Sequence, residues 1–131
     1  MSIGSVITLG YADREAKQVL ENAMSDEKML LIDIRHKPYC GWNPYWSGAV
    51  LAAHFGRYRH EIGLGNKNFN VPGAPIELID PEPSLARLVH LLREGYSLVL
   101  LCACKNYEKC HRKVAYEALM AALQASLEQS A

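Results

Sequence analysis

The chain has 131 residues, 50% of them apolar, and 14 Lys and Arg balance 14 Asp and Glu to a formal charge of zero. That length holds one core. The composition excludes a disordered chain, and the neutral balance argues against nucleic acid as a partner. No apolar run is long enough to span a bilayer, and MSIGSVITLGYADRE lacks the charged start and long apolar stretch of a secretory signal. The expectation is one cytoplasmic domain over 1–131 with no membrane contact and a polar, frayed tail at 127–131.

SVITLGYA (5–12) is a short run rich in β-branched residues, closed by a Gly-Tyr turn. DREAKQVLENAM (13–24) follows with helical spacing, Ala16, Val19, Leu20 and Ala23 sharing a side. MLLIDIR (29–35) is almost continuously apolar, the pattern of a strand buried on both faces. After the loop HKPYCGWNPYW, SGAVLAAHFG (47–56) predicts a short helix with Ser47 as N-cap and Gly56 beyond its end. RYRHEIGLGN (57–66) reads as a strand entering a Gly-rich turn, and NFNVPGAPIELIDPEP is irregular. PSLARLVHLLREG (83–95) predicts a helix with Ser84 at its N-cap, Gly95 at its end and Leu85, Leu88, Val89 and Leu92 as its stripe. YSLVLLCA (96–103) is a second all-apolar strand. The last helix is expected from about Lys109 to Leu127, with Ala115, Ala118, Leu119, Ala122 and Leu123 inward.

Alternating strands and helices, with the clearest strands lacking a polar face, predict an α/β fold. The expected form is a three-layer sandwich, a mainly parallel sheet flanked by helices in Rossmann-like topology. Ligands of such sheets collect beyond the carboxyl ends of the strands. The loops to watch are therefore GYAD, RHKPYCGWN, GLGN and CKNYEKCHR.

Three of the four cysteines cluster in LCACKNYEKCHR, which points to thiol or metal chemistry before a disulfide scaffold. Cys102 lies inside a strand, where a cysteine commonly packs as a small hydrophobe. Cys104 stands at the strand's exit before a helix, where the helix dipole favours a thiolate. It is the candidate nucleophile, with His111 as a candidate acid or base. Cys110 is open to either an inward or an outward orientation. The helix opens with Lys109, His111, Arg112 and Lys113, positive groups where the dipole prefers negative ones. The lysines at 109 and 113 are expected in solvent and Glu108 offers a local partner, but Arg112 suits a bidentate grip on a phosphate or carboxylate. Lys105 joins it as a candidate ligand residue.

Cys102, Cys104, Cys110 and His111 are zinc-type residues. However, Cys102 would have to leave the core, and adjacent Cys110 and His111 diverge by about a hundred degrees on a helix. No metal and no cofactor are expected on that ground.

Asp33 and Arg35 share a face at the end of an apolar strand, where burial calls for pairing or a place at the sheet's mouth. Arg35 is a candidate anion ligand. Asp33 is a candidate catalytic residue, with the fixing of its own loop's amides as the plainer alternative. His36, Tyr58 and His60 are candidates for lining the pocket, and Gly63, Gly65 and Asn66 suit a tight turn with close backbone approach. Trp42, Tyr45 and Trp46 suit either an aromatic lid or a cap on the core.

Taken together, LGYADREAKQVL, LIDIRHKP, Tyr58 with His60, the LGN at 64–66 and LLCACKNYEKCHR resemble one family over roughly residues 5–120. It is the bacterial and archaeal family designated domain of unknown function 488. The resemblance implies a compact three-layer α/β domain and supplies no reaction, cofactor or substrate. The GWNPYW loop departs from the more basic or serine-rich loop of that family. The functional expectation is a binder of a small phosphate- or nucleotide-like anion, with catalysis through a Cys thiolate left open. The alternatives are a non-enzymatic sensing or protein-interaction module and a zinc-structured domain.

Overall fold

The structure, a computed structural model, describes residues 2–103 and 110–130. Four strands form it: β1 (Val6–Gly10), β2 (Met29–Asp33), β3 (Tyr58–His60) and β4 (Ser97–Cys102). All pair in parallel, in the order β1-β4-β2-β3. β4 is central in register, with Leu98 beside both Val6 and Leu30.

The continuous apolar runs explain that centre. Along β2 and β4 the side chains alternate between two cores, because strand side chains repeat every two residues. Leu30, Ile32, Leu98, Leu100 and Cys102 meet Leu88, Leu92, Ala115 and Leu119 on one face. Met29, Leu31, Val99 and Leu101 meet Ala16, Leu20, Leu51 and Trp46 on the other. The helices supplying these partners are α1 (Ala16–Met24) and α2 (Gly48–His54) on the second face, where Trp46 comes from the short turn before α2, and α3 (Pro81–Arg93) and α4 (His111–Gln129) on the first. The three layers and parallel sheet of the sequence reading are thus present.

Local boundaries differ in instructive ways. α3 starts at Pro81 with Asp80 at its N-cap, since proline tolerates the first helical turn. Ser84, expected as the cap, is instead one turn inside and buried, where it donates to Glu61 at 2.8 Å. Ser47 holds the N-cap position of α2, but its hydroxyl accepts from the Cys40 amide at 3.1 Å and so ties down the preceding loop. The final helix begins at His111, with Cys110 as its N-cap in extended conformation. Among the described residues no helix is long and apolar enough to cross a membrane.

Candidate functional site at the carboxyl ends of the strands

The chain after β1 and β2 runs to one face of the sheet, whereas α4, after β4, lies on the other. Because β4 sits between β1 and β2, this divergence opens a crevice at its end. There lies a cavity of about 430 Å³, lined by Tyr11, Arg35, His36, His111 and Ala103, with Lys37, Tyr39, Asn66, Phe69 and Ile76 completing it. Its size is that of a small-molecule site. A groove of about 570 Å³ between α3 and α4 is larger, but its lining has no buried charge.

Arg35 dominates the wall. Its side chain is 5% exposed, and Asp33 beneath it is fully buried. The guanidinium grips that carboxylate from two sides, Nε to Oδ1 at 2.8 Å and Nη2 to Oδ2 at 2.5 Å. Asp33 Oδ1 also accepts from the Arg35 amide, and Oδ2 accepts from the Tyr58 hydroxyl at 2.6 Å. Burial alone pulls a guanidinium's pKa down, but the hydrogen bonds and charge of Asp33 outweigh it and hold Arg35 above its ordinary value. Tyr58 is likewise pushed up, by burial first and then by Asp33. One donor is left over: Arg35 Nη1 is buried with no hydrogen-bond partner among the described residues. The Tyr11 ring lies 5.3 Å from the guanidinium carbon, in cation–π range.

Two histidines fix the backbone of this wall. His60 Nε2–H donates to the Arg35 carbonyl and His111 Nε2–H to that of Ile34, each at 2.7 Å. Since a carbonyl only accepts, both rings carry the proton on Nε2 in these bonds. Burial lowers the His111 pKa most, against the raising effect of the Ile34 bond and of Asp33. The Gly-rich turn then closes against the same segment. A Cβ at Gly65 would stand 3.0 Å from the Ile62 carbonyl and 3.1 Å from His36 Cα, tight contacts that favour glycine here. Asn66 Oδ1 accepts from the amides of Asn68 and Glu77, which folds the loop that carries Phe69. Phe69 stacks on His36 with ring centres 4.4 Å apart.

Of the residues singled out from sequence, Arg35, His36, Asn66 and His111 line the cavity. Asp33, Tyr58 and His60 stand behind it as supports of Arg35, with Asp33 wholly engaged in that support. Arg112 is buried outside the cavity lining and has interactions of its own there. Lys113, expected in solvent, is only half-exposed. Cys104 and Lys105 lie outside the described residues, as do Glu108 and Lys109. The aromatic loop divides: Trp46 is buried against Tyr11, Tyr45 donates to Glu21, and exposed Trp42 stacks on Tyr11 at 6.0 Å. Tyr11, Lys37 and Phe69 were missed. Tyr11 follows the first strand's glycine within a loop already marked, whereas Phe69 lies in a stretch without periodicity.

No protein-family model, curated protein or solved structure matches the chain.

Proposed function

We propose that the chain binds a small anion of phosphate or nucleotide type in the cavity beyond β1, β4 and β2, and that it does so in the cytoplasm. The observation that carries this reading is Arg35, a buried guanidinium in the cavity wall with Nη1 unpartnered among the described residues. An unmet charged donor held in low dielectric is costly, and an anion accepting from it removes that cost. Lys37 adds a second cation at the exposed rim. The Phe69–His36 stack and Tyr11 offer flat apolar surface for a base.

A second reading, a sensing module without turnover, is favoured by Asp33, whose two oxygens are occupied by Arg35 and Tyr58. Chemistry then depends on His111 and on Cys104, the latter by its place in the sequence. The likeness of LIDIRHKP and LLCACKNYEKCHR to the domain of unknown function 488 belongs to the same proposal and names no reaction. Nucleic acid is disfavoured as a partner by the zero net charge.

Titration calorimetry with inorganic phosphate and with a nucleoside monophosphate tests the reading, alongside melting curves. Ligand at a hundredfold excess over Kd stabilises by about 2.7 kcal/mol, on the order of 10 °C in Tm. Arg35→Lys keeps a cation but removes the planar fork, and should weaken phosphate binding at least tenfold. An unchanged melting temperature in the presence of both anions rejects the anion site. Binding without turnover of phosphoesters or thioesters selects the sensing module.

A further inference from the structure

Beside the cavity lies a group of thiol and imidazole ligands that shares His111 with the cavity lining. Cys102 Sγ and Cys110 Sγ are 2.8 Å apart, and one ring nitrogen of His111 completes a set whose atoms all fall within 4.8 Å of one another. We propose that, in its reduced form, the chain holds a thiolate-preferring metal ion, zinc(II), between Cys102, Cys110 and His111.

The two objections raised by the sequence spacing do not hold in the fold. Cys102 need not leave the core, because Cys110 comes into it: the two residues are 0% and 1% exposed. Neighbours on a helix do diverge, but Cys110 is not on the helix. It is the N-cap, in extended backbone at φ −105° and ψ 145°, so the helical angle between adjacent side chains does not apply to it and His111. A tetrahedral site with metal–sulfur bonds of about 2.3 Å and metal–nitrogen bonds of about 2.0 Å sets its ligand atoms roughly 3.5–3.8 Å apart. Shifts of about an ångström bring the three atoms to that spacing.

Chemistry selects the ion. Two thiolates and an imidazole suit zinc and exclude magnesium and calcium, which take oxygen ligands. Two thiolates offset a divalent charge, which makes so deep a position tolerable. His111 donates Nε2–H to the Ile34 carbonyl, so Nδ1 carries the ring's lone pair, and such a bond to the second nitrogen is the usual support of a ligating imidazole. Three protein ligands leave one tetrahedral position open, and His111 also lines the cavity.

Ligation has a redox condition. Cys110 is disulfide-bonded in the structure. A phosphine or thiol reductant must first deliver two electrons, which with two protons break the S–S bond and return both of its sulfurs, that of Cys110 among them, to thiols. Metal uptake then forms two metal–sulfur bonds and one metal–nitrogen bond, and releases the protons of Cys102 and Cys110 to solvent.

The test is elemental analysis and cobalt(II) titration of the full chain kept in excess phosphine reductant. The expected result is one metal per chain and a near-ultraviolet thiolate-to-cobalt band. Both should be lost in Cys102→Ser and in Cys110→Ser, and retained in Cys40→Ser, since Cys40 packs in the core on the opposite face of the sheet. His111→Ala should weaken cobalt binding and alter the visible spectrum, and its half-buried position makes it the safer variant to fold. Absence of stoichiometric metal from the reduced wild-type chain overturns the proposal, as does a full-strength band in Cys102→Ser. Phosphate calorimetry on the metal-free chain, wild type against Arg35→Lys, reads the anion site separately from either result.

Discussion

At the scale of single residues, the chain invests a carboxylate, a phenol and an imidazole in holding one guanidinium. Asp33 anchors Arg35 through both of its oxygens, Tyr58 adds a second donor to Asp33 Oδ2, and His60 pins the Arg35 carbonyl. Such concentration of polar partners on one buried guanidinium is characteristic of a positioned ligand residue, since an apolar set would stabilise the sheet as well. Tyr58→Phe tests the arrangement with little change of shape. It leaves a buried carboxylate oxygen short of a donor and should cost about 1–3 kcal/mol in urea denaturation. If Arg35 depends on this network, phosphate affinity should fall in the same variant. An unaltered urea midpoint would show that the Tyr58 bond is idle.

Among elements, α3 is fastened to the turn after β3 by Glu61. That carboxylate is buried, accepts from Ser84 at 2.8 Å, and is gripped by Arg87 at 3.0 and 2.7 Å. Burial raises its pKa most, but the bonds from Arg87 and Ser84 and the charge of Arg87 prevail and set it below the ordinary carboxylate value. A carboxyl whose folded pKa is lowered adds stability above its unfolded pKa, and loses it as pH falls through the folded value. Glu61→Gln removes that contribution, so urea midpoints of the variant should decline less than wild type between neutral pH and about pH 3. Parallel slopes would assign the acid limb to other carboxylates. The clamp also explains why Ser84 does not serve as an N-cap: its hydroxyl reaches across to Glu61 from inside the helix.

The whole molecule hangs on β4 and β2, which face both cores at once. Leu100 points to the α3/α4 side, while Trp46 reports the opposite face. Since the two cores share strands, they should melt together. Leu100→Ala, at a fully buried site, should cost about 2–5 kcal/mol. It should shift tryptophan fluorescence and far-ultraviolet circular dichroism to one common midpoint. Separate midpoints would mean that the faces unfold independently. The same centrality places function, since the crevice opens where β4 ends between its two neighbours.

Much of this was legible in the chain. The all-apolar runs MLLI and LVLL settle the central strands, because no pattern with a polar face can be buried on both sides. The Asp33-x-Arg35 spacing puts both side chains on one face of an extended strand, and Arg35 is found in the cavity wall. GLGN announced close backbone approach, which Gly65 makes against His36. What sequence spacing could not decide was anything that depends on distant segments meeting. Phe69 reaches the cavity only because Asn66 folds its loop, and no periodicity marks such a loop. Cys110 and His111 read as diverging helical neighbours in a helix from about Lys109, but the helix starts two residues later, at His111. That boundary rests on the backbone of a single residue, and with it the tertiary structure brings two sulfurs and an imidazole together at the end of one strand.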